Sequence, residues 1–279
     1  MNNVLPPVLS NIYYDLKLQY FLFKYRDLLN SNGKLKNQKR GQRCFLLGSG
    51  PSVKGQDLSV LRDEDVFALN NFCAYDGFEE IFSGKGAKYY AIAPIHPPQT
   101  DEEWRDWLTS VDEKVPSGVK MFLGINYYRG NIHEVSNSKN LFSKKEVYWF
   151  FAGGRFSEKF KSENIDLTKD LLNSETVSLY ALMIAIYMGY SEIYLVGMDH
   201  NYLLFDSEEK MRVYRDGIHQ KNEFQRTFGD RFYIEEYLRQ YKIFSKYYAL
   251  NLGDNYQVYN ATDGGLLEVF PRVDFSTLL

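Results

Sequence analysis

The chain has few cysteines and histidines and no long apolar run. Its 279 residues include two cysteines and four histidines, and no apolar stretch approaches the roughly 18 residues of a membrane-spanning helix. No spacing of histidine, cysteine and aspartate has the form of a zinc site. There is also no basic and apolar leader of the kind that begins a signal peptide. We therefore expect no signal peptide, no membrane span and no bound metal.

The cysteines and the charge narrow the class of protein further. Cys44 and Cys73 fall in or beside predicted buried strands, so we expect buried free thiols rather than a disulfide, and a cytoplasmic location. The net charge of −3 gives none of the basic footprint that nucleic-acid-binding proteins usually show. The length suits one large domain, or one domain with a small appendage.

The most informative stretch is residues 43–53, Arg-Cys-Phe-Leu-Leu-Gly-Ser-Gly-Pro-Ser-Val. It begins with an apolar run that is long enough for a buried strand and too short for a buried helix. Its two glycines permit a sharp turn and the close approach of a ligand, and its proline suits the first position of a helical turn. A strand, a glycine turn and a helix start form an anion site. We predict that nucleotide phosphates bind at Gly48, Ser49, Gly50, Pro51 and Ser52.

This loop differs from two common phosphate-binding loops. No Gly-Lys-Ser/Thr follows the glycines, so it is not the P-loop that holds Mg-ATP. Val53 stands where a dinucleotide-binding loop has its third glycine. An ordinary tight turn between a strand and a helix is the alternative interpretation.

Predicted strands and helices alternate along most of the chain, which indicates an α/β, Rossmann-like, mostly parallel sheet with helices on both faces. We predict strands at residues 44–47, 65–69, 88–93, 120–124, 146–151, 192–196 and 257–259, and helices at 78–82, 101–111, 176–188 and 230–249. Residues 1–42 form an N-terminal helix with a basic linker, and residues 43–279 form the nucleotide-binding domain. Within that domain, the polar and weakly periodic residues 203–229 suggest a lid-like insertion.

A second polar cluster follows the predicted strand 192–196, where the chain reads Gly-Met-Asp-His-Asn-Tyr. Ligands bind outside the carboxyl ends of parallel strands, so Asp199 and His200 should lie near the glycine loop. A histidine in such a crevice can act as a general base, although a structural role is the alternative. His219, in the predicted lid, is the other candidate base, and a solvated loop histidine is its alternative interpretation.

Two pairs of polar residues are further candidates for nucleotide binding. Asn70 and Asn71 lie about 20 residues after the glycine loop, where a dinucleotide-binding fold places its ribose-binding acid; a turn-forming asparagine pair is the alternative. Ser174 and Thr176 precede the buried helix 176–188. Their hydroxyls can cap its free amides, or the same amides can hold a phosphate.

Residues 11–29 predict an amphipathic helix that precedes the first strand. We expect it to dock on the core. The alternative is peripheral contact with a membrane, which the basic side chains at 34, 36, 39, 40 and 43 would favour.

Three segments together resemble two related protein families: the Gly-Ser-Gly-Pro-Ser loop, residues 65–72 and residues 185–199. One family is named for archaeal 6-hydroxymethylpterin pyrophosphokinase (MptE-like) and includes motility-associated factors implicated in flagellin glycosylation. The other comprises the bacterial CMP-sialic acid-dependent sialyltransferases. Residues 260–272, near the end of the chain, also resemble the MptE-like family.

The resemblance implies a Rossmann-like fold that holds a nucleotide phosphate at the glycine loop. In the sialyltransferases the loop and the asparagine matching Asn70 contact CMP. Those enzymes carry Arg-x-Thr-Ser-Gly at the start of the buried helix, whereas this chain reads Ser-Glu-Thr-Val-Ser from Ser174. Their sugar-carboxylate arginine therefore has no match there. The sequence Asp199-His200 resembles the MptE-like pattern, which makes that family the nearer one.

We predict a cytoplasmic transferase, either free or peripheral at the inner membrane, that uses a nucleotide-activated donor and no required cofactor. A glycosyltransferase of bacterial surface-glycan assembly is favoured, with a CMP-activated nonulosonic acid as donor and a glycan or glycolipid as acceptor. His200 or His219 would be the general base, and Asp199 would orient His200. One alternative is a pyrophosphokinase that uses Mg²⁺ and ATP on a pterin-like alcohol, with Asp199 as metal ligand. The other is a non-catalytic nucleotide-binding protein.

Overall fold

The computed structural model describes residues 6–157, 160–204, 212–214 and 232–278. Within them the strands are β1 Arg43–Leu47, β2 Val66–Leu69, β3 Lys88–Ile92, β4 Lys120–Ile125, β5 Val147–Gly154, β6 Asp170–Leu172, β7 Glu192–Val196 and β8 Gln257–Asn260. The α-helices are α1 Pro7–Lys24, α2 Arg26–Asn30, α3 Phe78–Phe82, α4 Asp101–Lys114, α5 Ile132–Lys139, α6 Val177–Met188 and α7 Phe232–Asn251. Short 3-10 turns, among them Pro51–Gly55 after β1, connect several of these elements.

All eight strands belong to one parallel sheet with the order β6-β5-β4-β3-β2-β1-β7-β8. The chain builds the sheet outward from β1 to β6, and then returns to add β7 on the other side of β1. The carboxyl ends of β1 and β7 are therefore neighbours at a topological switch point, the place where open parallel sheets bind ligands. The prediction of an α/β, Rossmann-like sheet is confirmed.

Side chains alternate between two hydrophobic cores along the central strands. Cys44 and Leu46 of β1 point into the core on one face, and Phe45 and Leu47 point into the core on the other. Both faces are thus buried, as a parallel sheet covered by helices requires. Helices α6 and α7 cover the first face, and α3, α4 and α5 cover the second.

Helix α6 is apolar on nearly every side because it lies between the sheet and α7. Almost all of its residues are buried. It ends at Gly189, whose left-handed φ of 87° closes the helix as predicted. Because the helix is buried in this position, its first turn lies at the carboxyl edge of the sheet.

The N-terminal helix forms, but Tyr25 divides it into α1 and α2. Leu18, Phe21 and Leu22 of α1 pack against Ile125 of β4 and Phe151 of β5. The predicted docking is thus observed for one face of α1. The proposed division of the chain at residue 42 stays a prediction.

Two predictions in the middle of the chain are wrong. The sequence analysis predicts no helix between residues 111 and 176, but this stretch contains α5. The side chain of Asn131 caps this helix by accepting a hydrogen bond from the amide of Glu134, and Asn140 ends it in a left-handed conformation. In addition, β5 continues through Gly153 and Gly154, two residues of low strand propensity that were expected to lie beyond the strand.

Cys44 and Cys73 are both buried free thiols, in agreement with the sequence analysis. Across the described ranges, no α-helix combines the length and the apolar character that crossing a lipid bilayer demands.

Candidate active site

A cavity of about 380 Å³ opens at the carboxyl edge of the sheet, at the switch point between β1 and β7. The loops after β1, β2, β3 and β7 form its walls, together with the start of α6 and part of α7. The cavity brings together most of the predicted site residues: Gly48, Ser49, Gly50, Asn70, Asn71, Ser174, Thr176, Asp199 and His200.

The glycine loop packs directly against the loop that follows β7. A Cβ atom on Gly48 would lie 2.4 Å from the carbonyl oxygen of Gly197, and one on Gly50 would lie 1.7 Å from Oδ2 of Asp199. The amides of Gly48 and Gly50 donate to the carbonyl oxygens of Val196 and Gly197 at 2.8 and 3.0 Å. Glycine is therefore required at both positions so that the two loops can touch. This requirement does not depend on the predicted approach of a phosphate.

The carboxylate of Asp199 accepts hydrogen bonds from both the amide and the hydroxyl of Ser52. The Ser52 amide donates to Oδ1 of Asp199 at 3.2 Å, and the Ser52 hydroxyl donates to Oδ2 at 2.7 Å. Burial raises the pKa of the Asp199 carboxyl, although the bonds from Ser52 oppose this shift. Neither Pro51 nor Ser52 lines the cavity. A phosphate at this loop would have to share the Ser52 donors with Asp199 or displace it.

His200 belongs to a buried hydrogen-bonded chain. Its Nε2 lies 3.2 Å from the hydroxyl of Tyr247, which donates to Oγ of Ser178 at 2.6 Å. Because the Tyr247 proton is directed to Ser178, Nε2 of His200 carries its proton and donates to Tyr247. Ser178 Oγ in turn lies 2.9 Å from Oγ1 of Thr176. In the described part of the chain, Tyr247 and not Asp199 is the hydrogen-bond partner of His200, which differs from the predicted arrangement.

The surroundings of His200 make it a weak base. Burial lowers its pKa to about 3, and the positive charge of Arg239 adds to this effect. Its Nδ1 is buried and has no hydrogen-bond partner among the residues that the structure describes. A general base works best with a pKa near the operating pH, so the geometry favours a structural role for His200 over the predicted catalytic one.

We expect the free energy of unfolding to fall by about 2 kcal/mol as the pH is lowered from 7 to 5, because of the protonation of His200 in the unfolded chain. The unfolded chain binds a proton at His200 near pH 6.5, whereas the folded chain binds it only near pH 3. Acid therefore favours the unfolded state throughout this window, and the contribution of His200 to stability is complete only above pH 6.5. Urea unfolding at pH 7, 6 and 5 measures the loss.

The control for this prediction is a comparison of two variants. In His200→Gln a neutral amide can still bond Tyr247, so this variant should lose less stability in acid than the wild type. In His96→Gln the replaced histidine is exposed, and the wild-type pH dependence should persist. The same pH dependence in His200→Gln and in the wild type would show that His200 is not held neutral by the fold.

The two asparagines after β2 have different partners. Asn70 has a left-handed φ of 49°, and its Oδ1 accepts a hydrogen bond from the amide of Ala93 at 3.0 Å. This bond leaves the Nδ2 group of Asn70 as a donor at the cavity wall. The Oδ1 atom of Asn71 accepts a hydrogen bond from the indole of Trp107 at 3.1 Å. Of the two residues, Asn70 is the better placed to bind a ligand.

The start of α6 forms part of the cavity wall. Thr176 is the N-cap residue, but its side chain makes no capping hydrogen bond to the first turn of α6. Val177 and Ser178 of this turn line the cavity. The hydroxyl of Ser174 donates to the carbonyl oxygen of Leu172 at 3.1 Å, which gives Ser174 a structural contact. The phosphate site at this helix stays a prediction, at a helix start that its N-cap side chain leaves uncapped.

Two arginines in the cavity wall were not predicted from the sequence. Arg212 donates to Oγ of Ser49 at 3.0 Å. Arg239, from α7, pairs with both carboxylate oxygens of Glu236 at 2.7 and 2.9 Å and donates to the carbonyl oxygen of Glu175 at 3.2 Å. It therefore reaches the start of α6, where the sequence has no arginine. Neither residue stands in a recognisable sequence motif, so only the fold reveals them.

Several predictions fall where the structure gives no description. His219 and most of the predicted lid at residues 203–229 lie outside the described residues. Among the residues that are described, no group of three or more histidine, cysteine or acidic side chains forms a candidate metal site. The roles of His219 and of Mg²⁺ stay predictions.

No protein-family model and no curated protein sequence matches the chain. Two solved structures are similar to it. The MAf glycosyltransferase from Magnetospirillum magneticum AMB-1 is 14% identical, with a TM-score of 0.48 over 91% of this chain. The present chain spans only 39% of that protein. The sialyltransferase CstII from Campylobacter jejuni, solved with cytidine-5'-monophosphate, is 20% identical, with a TM-score of 0.41 over 84% of this chain and 86% of its own. Identities and scores of this size transfer no residue role and no activity to the present chain.

Proposed function

We propose that the chain is a glycosyltransferase that binds a nucleotide-activated donor in the cavity between β1 and β7. The observation that carries the proposal is the open start of α6, whose uncapped first-turn amides lie at the cavity wall. A helix N-terminus combines free amide donors with partial positive charge, and this combination binds phosphate groups. In this proposal the donor phosphate lies at the turn formed by Thr176, Val177 and Ser178.

Arg212 and Arg239 add positive charge to the same cavity. Arg239 is paired with Glu236, so it can contact an anionic donor only while it shares its guanidinium with that carboxylate. Arg212 bonds the hydroxyl of Ser49 at the edge of the glycine loop. Together they would hold the negative charge that grows on the phosphate as the nucleotide leaves.

The nucleoside is proposed to contact Asn70. Its Nδ2 can donate to a ribose hydroxyl or to the carbonyl oxygen of a pyrimidine. CMP is the nucleotide to test first, because the glycine loop resembles that of the CMP-sialic acid-dependent sialyltransferases. A glycan or glycolipid hydroxyl is the proposed acceptor.

Asp199 is the general base that the geometry supports best. Asp199 is one of the residues that line the cavity, and burial raises the pKa of its carboxyl, which makes it a stronger base. In the proposed step the acceptor oxygen bonds to the anomeric carbon, the bond from that carbon to the phosphate oxygen breaks, and the acceptor proton passes to Asp199. The nucleotide leaves as an anion. His219 stays the second candidate for the base.

Calorimetric titration with CMP, UMP, GMP, AMP and ATP, each with and without Mg²⁺, tests the proposal. Selective binding of CMP without metal would support it. Binding of ATP only with Mg²⁺ would instead support the pyrophosphokinase, and no binding of any nucleotide would refute both. Binding of CMP without release of CMP from any CMP-activated sugar would support a non-catalytic nucleotide-binding protein.

We expect Asn70→Asp to weaken CMP binding at least tenfold in the same titration. The aspartate can still accept the hydrogen bond from Ala93 and can still adopt a left-handed φ. It removes the Nδ2 donor and adds a negative charge to a phosphate-binding cavity, and a lost charge-assisted or buried hydrogen bond typically costs about 1.5–3 kcal/mol.

Asn140→Asp is the matched control for this substitution. Asn140 also has a left-handed φ, of 55°, but it ends α5 on the exposed surface outside the cavity. Its substitution should leave CMP affinity unchanged. Equal affinities in Asn70→Asp and Asn140→Asp would place the nucleoside elsewhere.

A further inference from the structure

Helix α1 presents a broad apolar face to solvent. Leu16 and Phe23, at the centre of this face, are 67% and 68% exposed. At about 100° per residue, seven of the eight exposed apolar side chains of α1 fall within about 140° of the helix circumference, and Tyr14 lies outside this arc. The exposed face consists of Val8, Leu9, Ile12, Tyr13, Leu16, Tyr20 and Phe23.

This exposed face is distinct from the face that docks on the protein. Leu18, Phe21 and Leu22 turn inward and pack near Phe151. These three side chains are partly buried and hold α1 against the sheet. A contiguous apolar surface that remains after docking marks an interaction site more often than isolated exposed residues do.

The charges around the helix indicate which partner fits. Residues 7–43 contain eight lysines and arginines and only two acidic residues, although the whole chain has a net charge of −3. The Arg26 guanidinium lies beside the exposed face, 4.8 Å from the centre of the Phe23 ring, whereas Lys17 lies over the Tyr127 ring and Lys24 pairs with Glu134 at 3.1 Å. Basic side chains beside an apolar helix face are typical of helices that lie on anionic membranes.

We propose that α1 docks this protein on an anionic lipid surface, with the exposed face in the boundary between headgroups and acyl chains. A second copy of the chain fits less well, because two basic segments would be brought together and would repel each other. The mostly exposed Arg26 side chain can reach the phosphate groups while the apolar side chains enter the membrane.

The position of α1 relates this surface to the cavity. Arg155, which directly follows β5, donates to Oδ1 of Asn11 at 2.9 Å and lies over the ring of Tyr14. The N-terminal half of α1 is thereby held near the carboxyl edge of the sheet, where the cavity opens. Access to a lipid-linked acceptor from this edge rests on the proposed function, whereas the docking itself does not.

Sedimentation of the full chain with lipid vesicles tests the proposal. One set of vesicles is phosphatidylcholine alone, and the other contains about one third phosphatidylglycerol, which gives it a negative surface potential. We expect at least tenfold stronger binding to the anionic vesicles, and weaker binding at high salt because salt screens the lysines and arginines.

The double variant Leu16→Gln/Phe23→Gln should reduce binding to anionic vesicles at least tenfold. Both side chains are mostly exposed, so the circular dichroism spectrum and the thermal midpoint should stay at their wild-type values. The matched control is Val60→Gln/Leu252→Gln, which changes two apolar side chains that are 45% and 65% exposed on other elements. This control should bind vesicles like the wild type.

Three results would overturn the proposal. The first is no binding to either vesicle, or equal binding to both. The second is unchanged binding by Leu16→Gln/Phe23→Gln. The third is a dimer in analytical ultracentrifugation that this variant converts to a monomer, which would make a second copy of the chain the true occupant of the exposed face.

Discussion

Asp199→Asn is expected to lower the turnover number for CMP release from a CMP-activated sugar by about 100-fold or more. Asparagine has nearly the same shape as aspartate, and its Oδ1 can still accept the hydrogen bond from the Ser52 amide. The Ser52 hydroxyl can reverse its role and accept a bond from the new amide group. The loop contact is therefore kept, whereas the group that takes the acceptor proton is lost. Steady-state kinetics measure this loss, and calorimetry checks that CMP still binds.

Asp263→Asn is the matched control. Asp263 is exposed, and its negative charge contributes to the raised pKa of Asp199. Its removal should leave the maximal rate nearly unchanged. The rate falls as acid protonates Asp199. Because the variant lowers the pKa of Asp199, this protonation should occur at lower pH, and the acid limb of the rate profile should move with it. Full turnover by Asp199→Asn would exclude Asp199 as the base and leave His219 as the candidate.

Gly48→Ala is expected to lower the free energy of unfolding by about 3 kcal/mol. The new methyl group would overlap the carbonyl oxygen of Gly197 at 2.4 Å and the sulfur of Met198 at 2.8 Å. A backbone carbonyl cannot rotate away like a side chain, and both loops directly follow buried strands. Relief would therefore require β1 or β7 to move within the sheet. Urea unfolding at neutral pH measures the change.

Gly118→Ala provides the comparison for Gly48→Ala. A Cβ atom on Gly118 would have no neighbour within 4 Å, so the same chemical change should alter stability by at most about 0.5 kcal/mol. A small effect at Gly48 as well would mean that the two loops can separate without cost. In that case the glycine would be explained by ligand approach alone.

The sequence was sufficient to predict the sheet and the edge at which the cavity opens. Apolar runs and helical periodicity located β1, β7 and α6, and the carboxyl ends of parallel strands share one edge of a sheet. The sequence could not show that β1 and β7 are direct neighbours, because strand order depends on packing between distant segments. For this reason the sequence predicts that Asp199 lies near the glycine loop but not that it accepts hydrogen bonds from Ser52.

The environment of His200 and the position of Arg239 both depend on α7. For this reason the sequence predicted neither the low pKa of His200 nor the presence of Arg239 in the cavity wall. Tyr247 and Arg239 both belong to α7, and they reach the site only through its packing on α6. Helical periodicity predicts that such a helix forms and which face is apolar. It does not give the rotation or depth at which the helix docks. The low pKa of His200 is a result of that docking.

The pairing of β1 with β7 also determines when the cavity can exist. Ser52 and Asp199 are 147 residues apart in the chain, and at about 5–20 residues per second a ribosome needs about 7–30 s to cover that distance. Throughout that time one edge of β1 has no strand beside it and can pair with another chain. A nascent chain that is released before β7 emerges therefore has a glycine loop but lacks the cavity between β1 and β7. Aggregation during synthesis, rather than loss of the finished fold, is the vulnerability that this topology creates.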